Sequence, residues 1–128
     1  IMIPKTIHYC WFGKNPFPNK AKKCIASWKK YCPDYEIIEW NEDNFDLNKN
    51  PYLHWCYRHQ KWAFLSDLAR LLVVYENGGI YFDTDVELLR KPDELLQYDA
   101  FYDLVNLFIS FSDFLCNKPQ CIFSRTIW

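Results

Sequence analysis

Residues 3–13, IPKTIHYCWFG, begin the chain with an apolar run that stops at Gly13-Lys14-Asn15-Pro16. That pattern predicts a buried strand over Thr6–Phe12 followed by a turn. Ala21, Cys24, Ile25 and Trp28 then recur at helical spacing, predicting a helix capped by Asn19 and running to Tyr31, where Pro33-Asp34 breaks it. Tyr35–Trp40 reads as a second strand, 41–51 as a polar loop and Tyr52–Arg58 as a short helix. A longer helix is predicted from Lys61 to Glu76, stopped by Asn77-Gly78-Gly79. Phe64, Leu65, Leu68, Leu71, Leu72, Val73 and Val74 wrap nearly its whole circumference, so it is expected to be buried. Ile80–Asp83 comes next as a strand, Val86–Leu89 as its extension, Pro92–Leu96 as a helical turn and Asp99–Tyr102 as another strand.

Strands alternating with helices predict an α/β/α layered fold with a mostly parallel sheet, whose ligands gather at the carboxyl ends of the strands. Residues 103–128 show neither a helical nor a strand period. The chain therefore divides into one layered unit over 1–102 and a divergent tail over 103–128.

Composition narrows the function only modestly. The chain has 128 residues, enough for one domain, and its 50% hydrophobic and 24% charged content is that of a globular protein. A net charge of −1 gives no electrostatic case for nucleic acid. Lys14, Lys20, Lys22, Lys23, Lys29 and Lys30 crowd one early segment, which suits a solvated helix face or peripheral contact with an anionic membrane. The six cysteines contain no C-x-x-C pair, several sit in apolar runs, and no signal peptide is expected ahead of them. Reduced thiols and a cytoplasmic location are expected, with the inner face of the membrane as the peripheral alternative. No stretch reaches the roughly 18 apolar residues of a membrane span.

The chemistry concentrates in AFLSDLARLLVVYENGGIYFDTD, residues 63–85. On a strand, alternation would point Asp83 and Asp85 the same way, and two carboxylates beside a buried strand call for a cation. A hard divalent ion, Mn²⁺ or Mg²⁺, prefers oxygen ligands and can bridge to a phosphate. Asp67 and Arg70 lie three apart on one helix face. On a buried helix that Arg needs hydrogen-bonded partners, which suggests a polar ligand pocket. D-x-D-x-V after a strand also fits haloacid-dehalogenase-type phosphatases, but most of the chain precedes the motif, and Lys91 and Lys118 are poorly placed for that reading. His8, His54 and His59 have no metal-ligand spacing, and His8 suits a satisfied core position. P-loop, G-x-G-x-x-G and G-x-S-x-G motifs are absent.

Three ordered motifs, IPKTIHYCWFG (3–13), SDLAR (66–70) and GGIYFDTD (78–85), resemble the family 32 glycosyltransferases with the DXD sugar-binding region. That family includes enzymes of bacterial capsular polysaccharide synthesis and yeast mannosyltransferases. The resemblance implies a GT-A-like nucleotide-sugar-binding fold over 1–102, a divalent metal, a UDP-sugar donor, a saccharide or glycan acceptor and retention of configuration. It implies that Trp11 stacks on the nucleotide base and that Ser66, Asp67 and Arg70 bind the donor sugar. Asp83 would contact ribose or sugar and share the metal, and Asp85 would hold the metal on the diphosphate. Asp67, Arg70, Asp83 and Asp85 are the expected catalytic set. The resemblance fades after Tyr102, so the fold is expected to be incomplete at its C-terminus, with a truncated inactive remnant as the alternative to an active enzyme.

Overall fold

The fold comes from a computed structural model, which describes residues 3–97 and the strands at 100–102 and 121–124. Five parallel strands form one sheet: β1 (Thr6–Cys10), β2 (Glu36–Trp40), β3 (Gly79–Phe82), β4 (Ala100–Tyr102) and β5 (Cys121–Ser124), in the order β2-β1-β3-β5-β4. Helices α1 (Asn19–Tyr31), α2 (Pro51–Arg58) and α3 (Trp62–Asn77) connect them, with short 3₁₀ turns at Leu47–Lys49 and Asp93–Leu95.

Alternation along β1 and β3 sorts the core into two layers. Ile7, Tyr9, Ile80 and Phe82 face α1 and the segment carrying Val86, Leu88, Leu95 and Leu96. Cys10 and Tyr81 face α2 and α3, packing with Leu53, Cys56, Leu65, Ala69, Val73 and Val74. The expected α/β/α layering is present. A parallel sheet needs cover on both faces, which is why β1 and β3 read as continuous apolar runs rather than alternating ones.

Several local expectations are corrected. Asn19 is the first residue of α1 and Pro18 occupies the cap position, with no side-chain cap bond. By contrast α2 is capped, Asn50 accepting from the Leu53 N–H ahead of Pro51. α3 is not buried all round: Phe64 and Tyr75 are more than half exposed, and the buried stripe is Leu65, Ala69, Arg70, Val73 and Val74. Val86–Leu89 forms no strand. Its backbone is held instead by α1, where Trp28 Nε1 donates to the Val86 carbonyl (2.8 Å) and Ser27 Oγ accepts from Leu88 N–H (2.9 Å). Within the segment that lacked a fold role, 121–124 forms β5 between β3 and β4, so the sheet continues past Tyr102. The rest of that segment, 103–120 and 125–128, lies outside the described residues, as does Asp99.

The α3–β3 reversal sets the path of the chain into β3. Gly78 (φ 68°) and Gly79 (φ 91°) both sit in the left-handed region, and a Cβ on Gly79 would lie 2.8 Å from the Thr6 carbonyl oxygen. His8 braces this corner from a fully buried position: one ring nitrogen contacts the Gly78 carbonyl (2.9 Å) and the other accepts from Trp40 Nε1 (3.1 Å). Those partners select the neutral tautomer with hydrogen on Nε2, and burial lowers the pKa of the ring. His8 is the satisfied core residue expected.

Candidate functional site at the carboxyl edge of the sheet

The carboxyl ends of β1 and β3 open into a pocket of about 690 Å³. Its walls come from both layers. Trp11, Asn15, Phe17 and Pro18 form the side nearest α1. Trp62, Ala63, Ser66, Asp67 and Arg70 form the α3 side, and Cys10, Tyr81, Asp83, Thr84 and Asp85 lie between them. Each candidate residue, Trp11, Ser66, Asp67, Arg70, Asp83 and Asp85, therefore reaches one cavity.

Arg70 organises the polar floor. Its guanidinium reaches Asp67 Oδ1 (2.8 Å), Asp83 Oδ1 (3.2 Å) and the Ser66 carbonyl (3.3 Å), and its side chain is only 8% exposed. It also lies 5.0 Å over the Tyr81 ring. Burial works against the guanidinium charge, but the Asp83 and Asp67 carboxylates outweigh it and raise the pKa, so Arg70 stays charged. Beneath it, burial pushes the Cys10 thiol up to about 12 and the Tyr81 phenol well above its ordinary value. Both are neutral packing groups.

Of the two DXD carboxylates, Asp83 follows the strand expectation and Asp85 does not. β3 ends at Phe82, and Asp83 continues its alternation toward α3, onto Arg70. Thr84 and Asp85 belong to a turn closed by Val86 N–H on the Asp83 carbonyl (3.0 Å). Turn geometry, rather than strand alternation, sets the direction of Asp85. Since α1 binds the Val86 carbonyl and Leu88 N–H, Trp28 and Ser27 anchor the exit of the motif.

At the opposite wall the Trp11 indole stacks on Phe17 (centroids 4.6 Å apart, 27° between planes), and its N–H donates to the Asn15 carbonyl (2.7 Å). One face of the ring is thus covered and its orientation locked. Phe17 was missed in the sequence, although the Gly13–Pro18 loop comes directly after a strand and so had to lie at the ligand-binding edge.

A divalent cation fits this donor set. Asp83 and Asp85 offer hard oxygen ligands. Among the described residues no cluster of three or more His, Cys, Asp or Glu side chains could hold a metal by itself. Magnesium-type sites are often built this way, with one or two carboxylates and the remaining positions filled by phosphate and water.

The family model "Glycosyltransferase sugar-binding region containing DXD motif" matches residues 18–102. The chain belongs to this family. It is 31% identical over 102 residues to inositol phosphoceramide mannosyltransferase 3 of Schizosaccharomyces pombe, covering 77% of this chain and 28% of that protein. Against the subversion of eukaryotic traffic protein A of Legionella pneumophila, identity is 26% over 121 residues, covering 73% of this chain and 19% of that one. Among solved structures, the PaToxG glycosyltransferase superposes with a TM-score of 0.58 at 24% identity, over 71% of this chain and 45% of that one. The fold is thus that of a glycosyltransferase. The chain spans less than a third of the length of these two relatives.

Proposed function

We propose that this chain is the donor-binding part of a metal-dependent glycosyltransferase, which moves a sugar from a nucleotide-sugar to a saccharide or glycan acceptor with retention of configuration. The observation that carries the reading is the convergence of Asp67, Arg70, Asp83 and Asp85 with a fixed aromatic wall in one pocket of suitable size. In this reading the nucleotide base lies on the open face of Trp11 and the sugar lies toward Ser66 and Asp67. Mn²⁺ or Mg²⁺, held by Asp85 with Asp83 beside it, would counter the charge on the leaving diphosphate.

The geometry supports a different emphasis for Arg70. Its donors are directed at Ser66, Asp67 and Asp83, so its part is to hold two carboxylates toward the sugar rather than to reach the sugar itself. Asp83 is tied to that cation, which makes Asp85 the principal metal ligand in this proposal.

The phosphatase alternative finds no support, because both oxygens of Asp83 contact the Arg70 guanidinium instead of standing ready for nucleophilic attack. Mannosyl transfer by the fungal relatives makes mannose one candidate sugar beside those of UDP donors. Isothermal titration of the chain with a panel of UDP-sugars and GDP-mannose, with and without Mn²⁺, tests the proposal. Metal-dependent binding of at least one donor is expected. A folded sample that binds none of them with metal present would overturn it.

A further inference from the structure

Beside the donor pocket lies a second surface of unusual composition. Residues 47–66 contain no Asp or Glu, but carry Lys49, Arg58 and Lys61 together with His54 and His59. The same stretch leaves large aromatic rings in water: Tyr52 is 47% exposed, Trp55 48% and Phe64 57%. These rings are not strays from the core. Leu53 and Cys56 bury the inward face of α2 completely, and Leu65 does the same for the start of α3. Tyr52, Trp55 and His59 then share an outer face of α2 at i, i+3 and i+7, and Trp55 stacks on His59 (4.4 Å, 24°). Arg58 lies three residues from Trp55, so a cation and an indole point outward together.

Two of the three Lys and Arg side chains here have no ion pair among the described residues. Lys49 pairs with Glu76, and the nearby Asp67 pairs with Arg70, whereas Arg58 and Lys61 form no ion pair among the described residues. The face also borders the pocket. Phe64 follows directly on Trp62 and Ala63, which line it.

We propose that the outer face of α2 and the first turn of α3 form a docking surface for an anionic lipid bilayer, seated so that the donor pocket opens at the membrane surface. The chemistry fits that occupant. Exposed Trp, Tyr and Phe settle at the headgroup level, and unpaired Arg and Lys are drawn by the negative surface potential. A saccharide acceptor carried on a lipid headgroup would then meet the donor without leaving the membrane. That last step rests on the glycosyltransferase reading; the docking itself does not.

The experiment is vesicle co-sedimentation of the whole chain, without nucleotide or metal. It compares pure phosphatidylcholine vesicles with vesicles containing phosphatidylserine or phosphatidylinositol. Binding to the anionic vesicles and not to the neutral ones is expected, weakening as salt rises. The pair Arg58→Gln and Lys61→Gln should lower partitioning by about 30-fold. Trp55→Ala with Phe64→Ala should lower it by on the order of 10-fold or more. All four positions are exposed, and circular dichroism checks that each variant is folded. Absence of anionic-vesicle binding by the folded chain overturns the proposal and leaves a protein partner for this face. Binding that survives both pairs but is lost on changing Lys20, Lys22 and Lys23 also overturns it, moving the contact to α1. Neither outcome bears on donor binding, which titration with nucleotide-sugars reads separately.

Discussion

At the amino edge of the sheet, Lys5 and Lys91 bracket Asp34 and Asp93 in the open, all four side chains being 40–45% exposed. At the carboxyl edge Arg70 holds Asp67 and Asp83 with 8% of its own side chain in contact with water. Both are networks of cations and carboxylates at the rim of one sheet, but their surroundings differ. Solvent screens the first, so each of its charges is independently satisfied and removable. In the second, Arg70 and Asp83 (19% exposed) are largely desolvated while Asp67 stays open to solvent, so removing Arg70 leaves Asp83 uncompensated. A costly arrangement of this kind, facing a cavity, is what marks the carboxyl edge as the candidate site.

The comparison breaks most directly at Arg70. Arg70→Ala is expected to destabilise the fold by about 3 kcal/mol in urea unfolding, because it strands Asp83 beside a low-dielectric floor while Asp67 remains open to solvent. A loss close to zero would mean that the carboxyl-edge network is as loosely coupled as the amino-edge one. Next comes Asp85→Ala, which should leave the unfolding midpoint nearly unchanged while removing the Mn²⁺ dependence of donor binding. It should also lower transfer by on the order of 100-fold or more. Retained metal dependence in a calorimetric titration would move the metal away from Asp85.

The amino edge has its own sensitive point, which is steric and not electrostatic. Gly79→Ala places a Cβ 2.8 Å from the Thr6 carbonyl at φ 91° and should cost about 2 kcal/mol, read as a lower thermal midpoint. A smaller effect is expected from His8. Burial lowers its pKa, so between the folded value and the ordinary 6.5 the unfolded chain binds more protons than the folded one. Its contribution to stability is complete above about pH 6.5 and declines as the pH falls below it. The urea midpoint should therefore drop from pH 7 to pH 5, and less steeply in His8→Gln.

The smallest change is predicted for Asp34. Hydrogen bonds from Lys91 and Lys5 hold its carboxyl below the ordinary value of 3.8, so any stabilisation is present above about pH 4 and lost in more acid solution. At neutral pH and moderate salt, Asp34→Ala should leave the unfolding midpoint essentially where it was. A large shift there would erase the contrast between the two edges.

Much of this architecture is encoded locally in the chain. The apolar run before Gly13, the helical spacing from Ala21 to Trp28, the Gly78-Gly79 stop and the position of Asp83 and Asp85 after a strand each depend on residues a few positions apart. Local signals of that sort determined the α/β class and singled out the site residues that share the pocket. Three things depended on distance instead. Asp85 is aimed by a turn whose exit is tied to Trp28 and Ser27, residues of a helix much earlier in the sequence. Arg70 meets Asp83 only because the Gly78-Gly79 reversal lays β3 back along α3. The strand at 121–124 has no period that marks it out, since its place in the sheet is set by pairing with β3 and β4. Periodicity reports which face of an element is apolar. Which other element covers that face is a long-range choice, made by packing and by the need to satisfy buried charge, and the tertiary structure alone decided it.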